Sequence, residues 1–527
     1  MSCHRQVVCQ GDGMMNQGIV RLLVVGIFVV LGAAQAAKRP NIVVILTDDH
    51  RYDAMGFLGH PFLKTPNFDR LAAEGVHFKN AYVTTSLCSP SRASILTGLY
   101  AHNHHVVDNY NPVSKSLTFF PELLQKAGYQ TAFIGKWHMG DSEEKQRGFD
   151  HWISFKGQGV YVPDPKMLKA KGRFVPQAIN SGYNINGKKV PQKGYITDEL
   201  TDFAEEWLAA KDEEKPFLLY VSHKGVHADF LPPDRHAFKY DKVDIPTPPT
   251  PTANPDLFKD PPMWVRNQSN SRHGVEFAYY TGVDMKKYYR RYCEALLAVD
   301  DSVGRLLGNL EKSGELENTV VLYLGDNGFI FGEHGLIDKR CAYDESVKVP
   351  MLIRYPKAIK GGATVEKIVA NIDVAPTLLE AAGLKATGEM NGASFWPLAK
   401  GEKIADWRKY LLYEYYWERN YPQTPTTHAV IGEDYKYIRY HGVWDVDELY
   451  HLKSDPKERI NLFNDSAQAA RVTEMNQALF SLLKESGGEA MPLMPDRGNK
   501  YFHRKIKGTT GAPFPDNFYR EAGTTGK

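Results

Sequence analysis

Four short apolar runs constrain this chain more than any other feature, because each runs directly into residues that carry chemistry. Ile42–Leu46 leads into Thr47-Asp48-Asp49, and Thr131–Ile134 into Gly135-Lys136-Trp137-His138. Phe217–Val221 leads into Ser222-His223-Lys224-Gly225-Val226-His227, and Val320–Leu324 into Gly325-Asp326-Asn327-Gly328. Continuous runs of this kind read as parallel strands buried on both faces. Helical stretches fall between them at 66–74, 119–127, 195–211 and 285–312. In the last, Leu296, Val299, Val303, Leu306, Leu307 and Leu310 share one face. Strands alternating with helices predict an α/β sheet covered on both sides. Ligands of such sheets bind beyond the carboxyl ends of the strands, so two acidic pairs, two lysines and several histidines would meet at one edge.

The segment Ile245–Pro262 holds seven prolines and reads as a stiff loop inside this fold, because strand and helix signals resume after it. The texture changes near residue 400. Tyr410–Trp417, His428–Ile431 and Tyr435–Tyr440 are aromatic, strand-prone pieces, followed by a helix at about 466–485. They predict a smaller α+β domain over 401–527 after a main domain over 37–400, with a loop-rich tail from Gly487. Residues 1–36 read as a signal peptide: Arg21 precedes an apolar run from Leu22 to Ala34, and Ala34-Gln35-Ala36 is a small-x-small cleavage site. That run is too short for a membrane span, and no other stretch approaches one. The expected location is therefore periplasmic or secreted.

The 527 residues carry a formal net charge of +2, which gives no general electrostatic reason to bind nucleic acid or an anionic membrane. Removing the leader removes Cys3 and Cys9, leaving Cys88, Cys293 and Cys341. An odd number in an exported protein leaves at least one cysteine without an intramolecular partner.

Asp48, Asp49, Asp326 and Asn327 are hard oxygen donors, suited to Ca²⁺ or Mg²⁺ rather than zinc. Taken singly, each pair would serve as a helix cap or turn. Two such pairs at strand ends of one sheet favour a cation site instead. Between the first two strands lies Ser86-Leu87-Cys88-Ser89-Pro90-Ser91-Arg92, followed by Leu96-Thr97-Gly98. A Cys-x-Pro-x-Arg loop near acidic strand ends is more than a buried thiol.

This pattern resembles the type I sulfatases of the alkaline-phosphatase-like superfamily, over essentially the whole chain after the leader. Cys88-Ser-Pro-Ser-Arg92 with Leu96-Thr97-Gly98 is similar to the signature at which that family's cysteine is oxidised to formylglycine. Gly332-Glu333-His334-Gly335, the Lys339 segment and Glu448-Leu449-Tyr450-His451-Leu452-Lys453-Ser454-Asp455-Pro456 extend the resemblance. It implies a large mixed, mostly parallel sheet sandwiched by helices, with an antiparallel sheet in the C-terminal domain. It implies Cys88, Arg92, Lys136, His138, His227 and Lys339 as catalytic residues. Asp48, Asp49, Cys88, Asp326 and Asn327 would be the metal ligands, for Ca²⁺ with Mg²⁺ as the alternative. It also implies a maturation partner, a formylglycine-generating enzyme or an anaerobic maturase. One departure is Val226-His227-Ala228, where the family often flanks the histidine with prolines, so His223 stands as a substitute for His227.

Tyr100-Ala101-His102-Asn103-His104-His105-Val106-Val107-Asp108-Asn109 resembles the matching segment of N-acetylglucosamine-6-sulfatases, as do Tyr183–Lys188 and Tyr195–Asp198. A sulfated glycan bearing glucosamine 6-O-sulfate is the expected substrate. A sulfated galactan or other polysaccharide is the alternative within this chemistry, and phosphonate or phosphate monoester hydrolysis the alternative outside it. A protein that binds sulfated glycans without turnover would not need every catalytic position filled.

Overall fold

The computed structural model describes residues 39–140, 142–170, 182–251, 253–267, 284–418, 424–441 and 445–492. The leader at 1–36 and the tail beyond 492 lie outside the described residues. The four apolar runs form the strands β1 (Asn41–Thr47), β3 (Gln130–Gly135), β7 (Phe217–Ser222) and β8 (Thr319–Gly325). They join β2 (Val76–Phe78), β4 (His151–Ser154), β5 (Gly182–Ile185), β6 (Lys188–Pro191), β9 (Met351–Arg354) and β10 (Ala363–Val365) in a ten-stranded sheet. The order is β10-β2-β9-β8-β1-β7-β3-β4-β5-β6. From β8 to β4 all pairs are parallel, whereas β9 against β8 and β2, and the β4-β5-β6 run, pair antiparallel.

β1 lies in the centre, with Leu46 opposite both Ser222 and Leu324, so three strands end at one level. Its side chains alternate between two cores, as the period of 2 requires. Val43 and Ile45 pack with Leu71 of α1 (Pro66–Glu74), Leu200 of α4 (Ile196–Ala210) and Leu296 of α5 (Met285–Lys312). Ile42, Val44 and Leu46 pack on the other face with Ile95 of α2 (Cys88–Thr97) and Leu124 of α3 (Phe120–Lys126). The predicted stripe on α5 is buried as expected. Among the described residues, no helix is long and apolar enough to cross a membrane.

The C-terminal sheet runs β11 (Tyr410–Tyr415), β12 (Thr426–Gly432), β13 (Tyr435–His441) and β14 (Glu448–His451), antiparallel throughout. Helix α6 (Ala469–Ser486) covers it with Met475, Leu479 and Leu483. β14 had no strand signal of its own, and neither did the short strands β2 and β9 on the far side of β8. These pieces are strands because a neighbour offers them a ladder.

Candidate active site

The carboxyl ends of β1, β3, β7 and β8 deliver their polar residues to one place, where α2 begins. Asp326 N–H donates to Thr47 O at 2.9 Å, and Asp49 N–H to Asp326 Oδ1 at 3.1 Å, which clamps the two acidic pairs together. Asn327 Nδ2 donates to Asp49 Oδ1 at 2.6 Å. Ligand oxygens of Asp48, Asp49 and Asp326 all lie within 4.8 Å of one another. Asp49 Oδ2 and Asn327 Oδ1 are buried and have no hydrogen-bond partner among the described residues. Buried oxygens left without a donor are costly, and a hard divalent cation would satisfy them. The donor set therefore fits such an ion.

Cys88 is the first residue of α2 and is fully buried. Its Sγ donates to Asp48 Oδ1 at 3.2 Å and accepts from Lys339 Nζ at 2.9 Å. Burial first, and then Asp48, push the thiol up to about 12. Cysteine nucleophiles rely on a depressed pKa, so this thiol is a poor one as encoded. One turn along the helix, Arg92 Nε donates to Asp326 Oδ2 at 2.9 Å, while Nη1 reaches Lys136 O at 2.8 Å and Ser222 Oγ at 2.6 Å. Lys136 pairs with Asp48 and donates to Gln158 Oε1 at 2.6 Å; Lys339 pairs with Asp49.

The carboxylates do not titrate alike. Burial raises Asp326 to about 7, helped by Asp48 and opposed by Arg92. Burial also raises Asp49 against the pull of Lys339. Burial opposes Asp48 as well, yet Lys136, His227 and Lys339 together hold it well below its ordinary value. Lys339 stays charged: burial works against it, but Asp49 and Cys88 carry it well above its usual value.

His227 and His223 are separated cleanly. His227 Nε2 lies 4.0 Å from Asp49 Oδ2, and Nδ1 donates to Ala228 O at 2.8 Å, leaving Nε2 to face the acidic cluster. His223 turns the other way, with Nε2 at 3.0 Å from Ser302 Oγ on α5. Replacing His227 by Gln should lower kcat by about 10²–10⁴-fold at unchanged melting temperature. His223→Gln should lower the melting temperature and leave kcat within a few-fold. Steady-state kinetics beside thermal unfolding of both variants would check the pair, and the reverse pattern would reassign the histidine.

His138 is buried with Nδ1 unpartnered, and its carbonyl accepts from Ser89 Oγ. Burial, then Lys136, hold its ring well below the ordinary histidine value. Asn109 Oδ1 accepts from Ser89 N–H at 3.1 Å in the first turn of α2. Two of the three histidines of the 100–109 segment, His102 and His104, have structural tasks. His102 pairs with Glu414 at 2.7 Å, and His104 Nε2 meets Ser94 Oγ at 3.0 Å, fastening α2 and its following turn to the C-terminal sheet. Glu333 of the 332–335 motif pairs with Arg51 at 2.7 Å, and His334 stacks on Tyr343, so this motif shapes the loop rather than the site. Cys293 and Cys341 are buried and free. No sequence pattern marks Gln158 or Tyr161, whose Oη donates to His227 O at 2.6 Å. Both lie in loop segments of unremarkable composition and reach the site only through the sheet.

A mostly parallel sheet with clustered hard oxygens, a buried cysteine at a helix start and flanking cations is the layout of an enzyme that cleaves anionic esters. The chain belongs to the sulfatase family: the sulfatase profile matches residues 40–384, and that of the N-sulphoglucosamine sulphohydrolase C-terminal region matches 332–485. It is thus a sulfuric ester hydrolase. It is 36% identical over 510 residues to an N-acetylglucosamine-6-O-sulfatase of Bacteroides thetaiotaomicron, covering 86% of this chain and 87% of that one. It is 32% identical over 502 residues to the human N-acetylglucosamine-6-sulfatase, covering 88% and 86%. The solved structure of BT4656 in complex with its substrate D-glucosamine-2-N,6-O-disulfate is similar at a TM-score of 0.73 and 32% identity, covering 86% of this chain and 99% of that one. The family implies a metal ion and a formylglycine.

Proposed function

We propose that this sulfatase removes the 6-O-sulfate from N-acetylglucosamine or a related glucosamine unit of a glycan, using Cys88 matured to formylglycine and a bound Ca²⁺. The observation that carries the site assignment is the joint placement of Cys88 against Asp48 and Lys339, beside the unsatisfied oxygens of Asp49 and Asn327. The substrate reading is supported by the two glucosamine-sulfatase relatives and the disulfate-bound neighbour. Export of the chain after cleavage near residue 36, the division at about residue 400 and maturation by a formylglycine-generating enzyme or anaerobic maturase belong to the same proposal.

Asp48, Asp49, Asp326, Asn327 and residue 88 would hold the cation, which would supply charge neutralisation at the sulfate oxygens and acidify a hydroxyl on residue 88. A hydrated aldehyde at residue 88 would supply two geminal hydroxyls, one as nucleophile and one as a source of the proton that sulfate release requires. Everything else falls to the chain's own side chains. Arg92, Lys136 and Lys339 bring positive charge to an anion that otherwise repels a nucleophile. Arg92, locked on Asp326, also fixes the start of α2. The Lys339 ammonium would be the proton source, passing its proton through His227 Nε2 to the departing sugar oxygen. His138, whose buried Nδ1 has no partner among the described residues, would accept the proton of the second hydroxyl.

The test is sulfate release from N-acetylglucosamine-6-sulfate by protein matured at Cys88, with Ca²⁺ present. Release is the expected result. No release from this sugar, with release from a sulfated galactan, would overturn the substrate and keep the reaction.

A further inference from the structure

The site contains one cation that the reaction above leaves without a task. Lys224 follows β7, and its side chain is 3% exposed. Among the described residues, eight Lys and Arg side chains are buried, and seven of them have a carboxylate partner. Lys224 is the eighth. A buried ammonium without an anion is expensive, and a protein keeps one only where something offsets it. Part of the offset is the ring of Tyr161, whose centroid lies 4.5 Å from Nζ. Such a contact offsets less than an unpaired buried charge costs.

The position of Lys224 is fixed from both sides. Asp48 N–H donates to Gly225 O at 2.9 Å, and Val226 N–H donates to Asp48 O at 2.8 Å, which ties the Lys224 loop to the acidic strand end. The Tyr161 hydroxyl binds His227 O, so the ring is held over the same loop. Lys136, Asp48, Asp229 and Asp49 are among the charges that act on Lys224. Asp48 and Asp49 are already matched by Lys136 and Lys339, and Asp229 accepts from the Tyr288 hydroxyl at 3.3 Å. A cation held by the acidic pairs would offset them further, leaving an anion from outside as the missing partner of this ammonium.

We propose that Lys224 is a further substrate-binding residue, its ammonium taking an oxygen of the sulfate group undergoing transfer while the face of Tyr161 holds it in position. This rests on the site assignment above. It needs no particular sugar, because the probe is inorganic sulfate, the product of every sulfatase.

Reductive methylation of the matured, Ca²⁺-loaded enzyme, read by peptide mass spectrometry, should label Lys224 in buffer and spare it in saturating sulfate. Lys224→Met should raise KM for the ester and Ki for sulfate by about 10–100-fold, the loss expected for one charge-assisted hydrogen bond, with a smaller effect on kcat. Equal labelling with and without sulfate would overturn the proposal. So would unchanged KM and Ki alongside a lowered melting temperature, which is the signature of a purely structural lysine. Protection by D-glucosamine-2-N,6-O-disulfate but not by sulfate would also overturn it, by assigning Lys224 to a second acidic substituent. Labelling uses the unsubstituted enzyme, so the test stands even where Lys224→Met does not fold. Absence of turnover on every sulfate ester would count against the site assignment, whereas the labelling reports on Lys224 alone.

Discussion

Cys88→Ala should abolish turnover, by at least about 10⁴-fold, while the protein unfolds at nearly the wild-type temperature. Among the described residues the thiol hydrogen-bonds to Asp48 and Lys339, and each of these keeps another partner, Lys136 and Asp49 respectively. No buried charge is orphaned by removing the sulfur, so the cost to the fold is small. Cys88→Ser separates two ideas that the Ala variant cannot. A serine hydroxyl can still attack sulfur, but it lacks the second hydroxyl from which His138 would remove a proton. The expected result is a burst of about one equivalent of released sugar per enzyme, followed by a stall with sulfate covalently bound to residue 88. Rapid-quench kinetics and intact-protein mass spectrometry would read both. Sustained turnover by the Ser variant would remove the need for a hydrated aldehyde, and retained activity in the Ala variant would remove Cys88 from the mechanism.

Asp326→Asn carries the second large effect. The substitution preserves the shape of the side chain beside Arg92 and Asp49 N–H but takes away one of three clustered carboxylates. Cation affinity should fall by at least about 10²-fold, since loss of a ligand charge exceeds the 10–100-fold typical of an outer partner. At limiting Ca²⁺ the variant should be nearly inactive, and excess Ca²⁺ should restore part of the rate. The thermal shift gives an independent reading. A ligand that binds only the folded state stabilises it in proportion to RT ln(1 + [L]/Kd), so Ca²⁺ should raise the wild-type melting temperature and leave the variant almost unmoved at the same concentration. Full activity of chelated wild-type enzyme would overturn the cation assignment altogether.

Most of the central architecture was legible before any coordinates. β1, β3, β7 and β8 were marked by unbroken apolar runs, and such runs are diagnostic where a strand is covered on both faces. The polar residues after each run could be assigned to one edge once the strands were taken as parallel. β2, β9 and β14 could not be read, because short strands at the flanks of a sheet owe their conformation to the neighbour they pair with. The same limit applies to the 100–109 segment. Its resemblance to N-acetylglucosamine-6-sulfatases could be read from the residues, but not that His102 and His104 spend their ring nitrogens on Glu414, Ser94 and the backbone.

The amino-acid sequence by itself determined the alternation of strand and helix, the hard-oxygen character of the strand ends and the one cysteine set in a signature loop. These are local properties, written in the polarity and order of adjacent residues. Only the tertiary structure decided which histidine faces the acidic pairs. His223 and His227 are four residues apart and chemically identical, and what divides them is the path of one loop pinned to Asp48. It also decided that Lys136 and Lys339 have carboxylate partners and that Lys224 has none among the described residues. Pairing of buried charges depends on distances between segments far apart in the chain, and no local pattern encodes those distances.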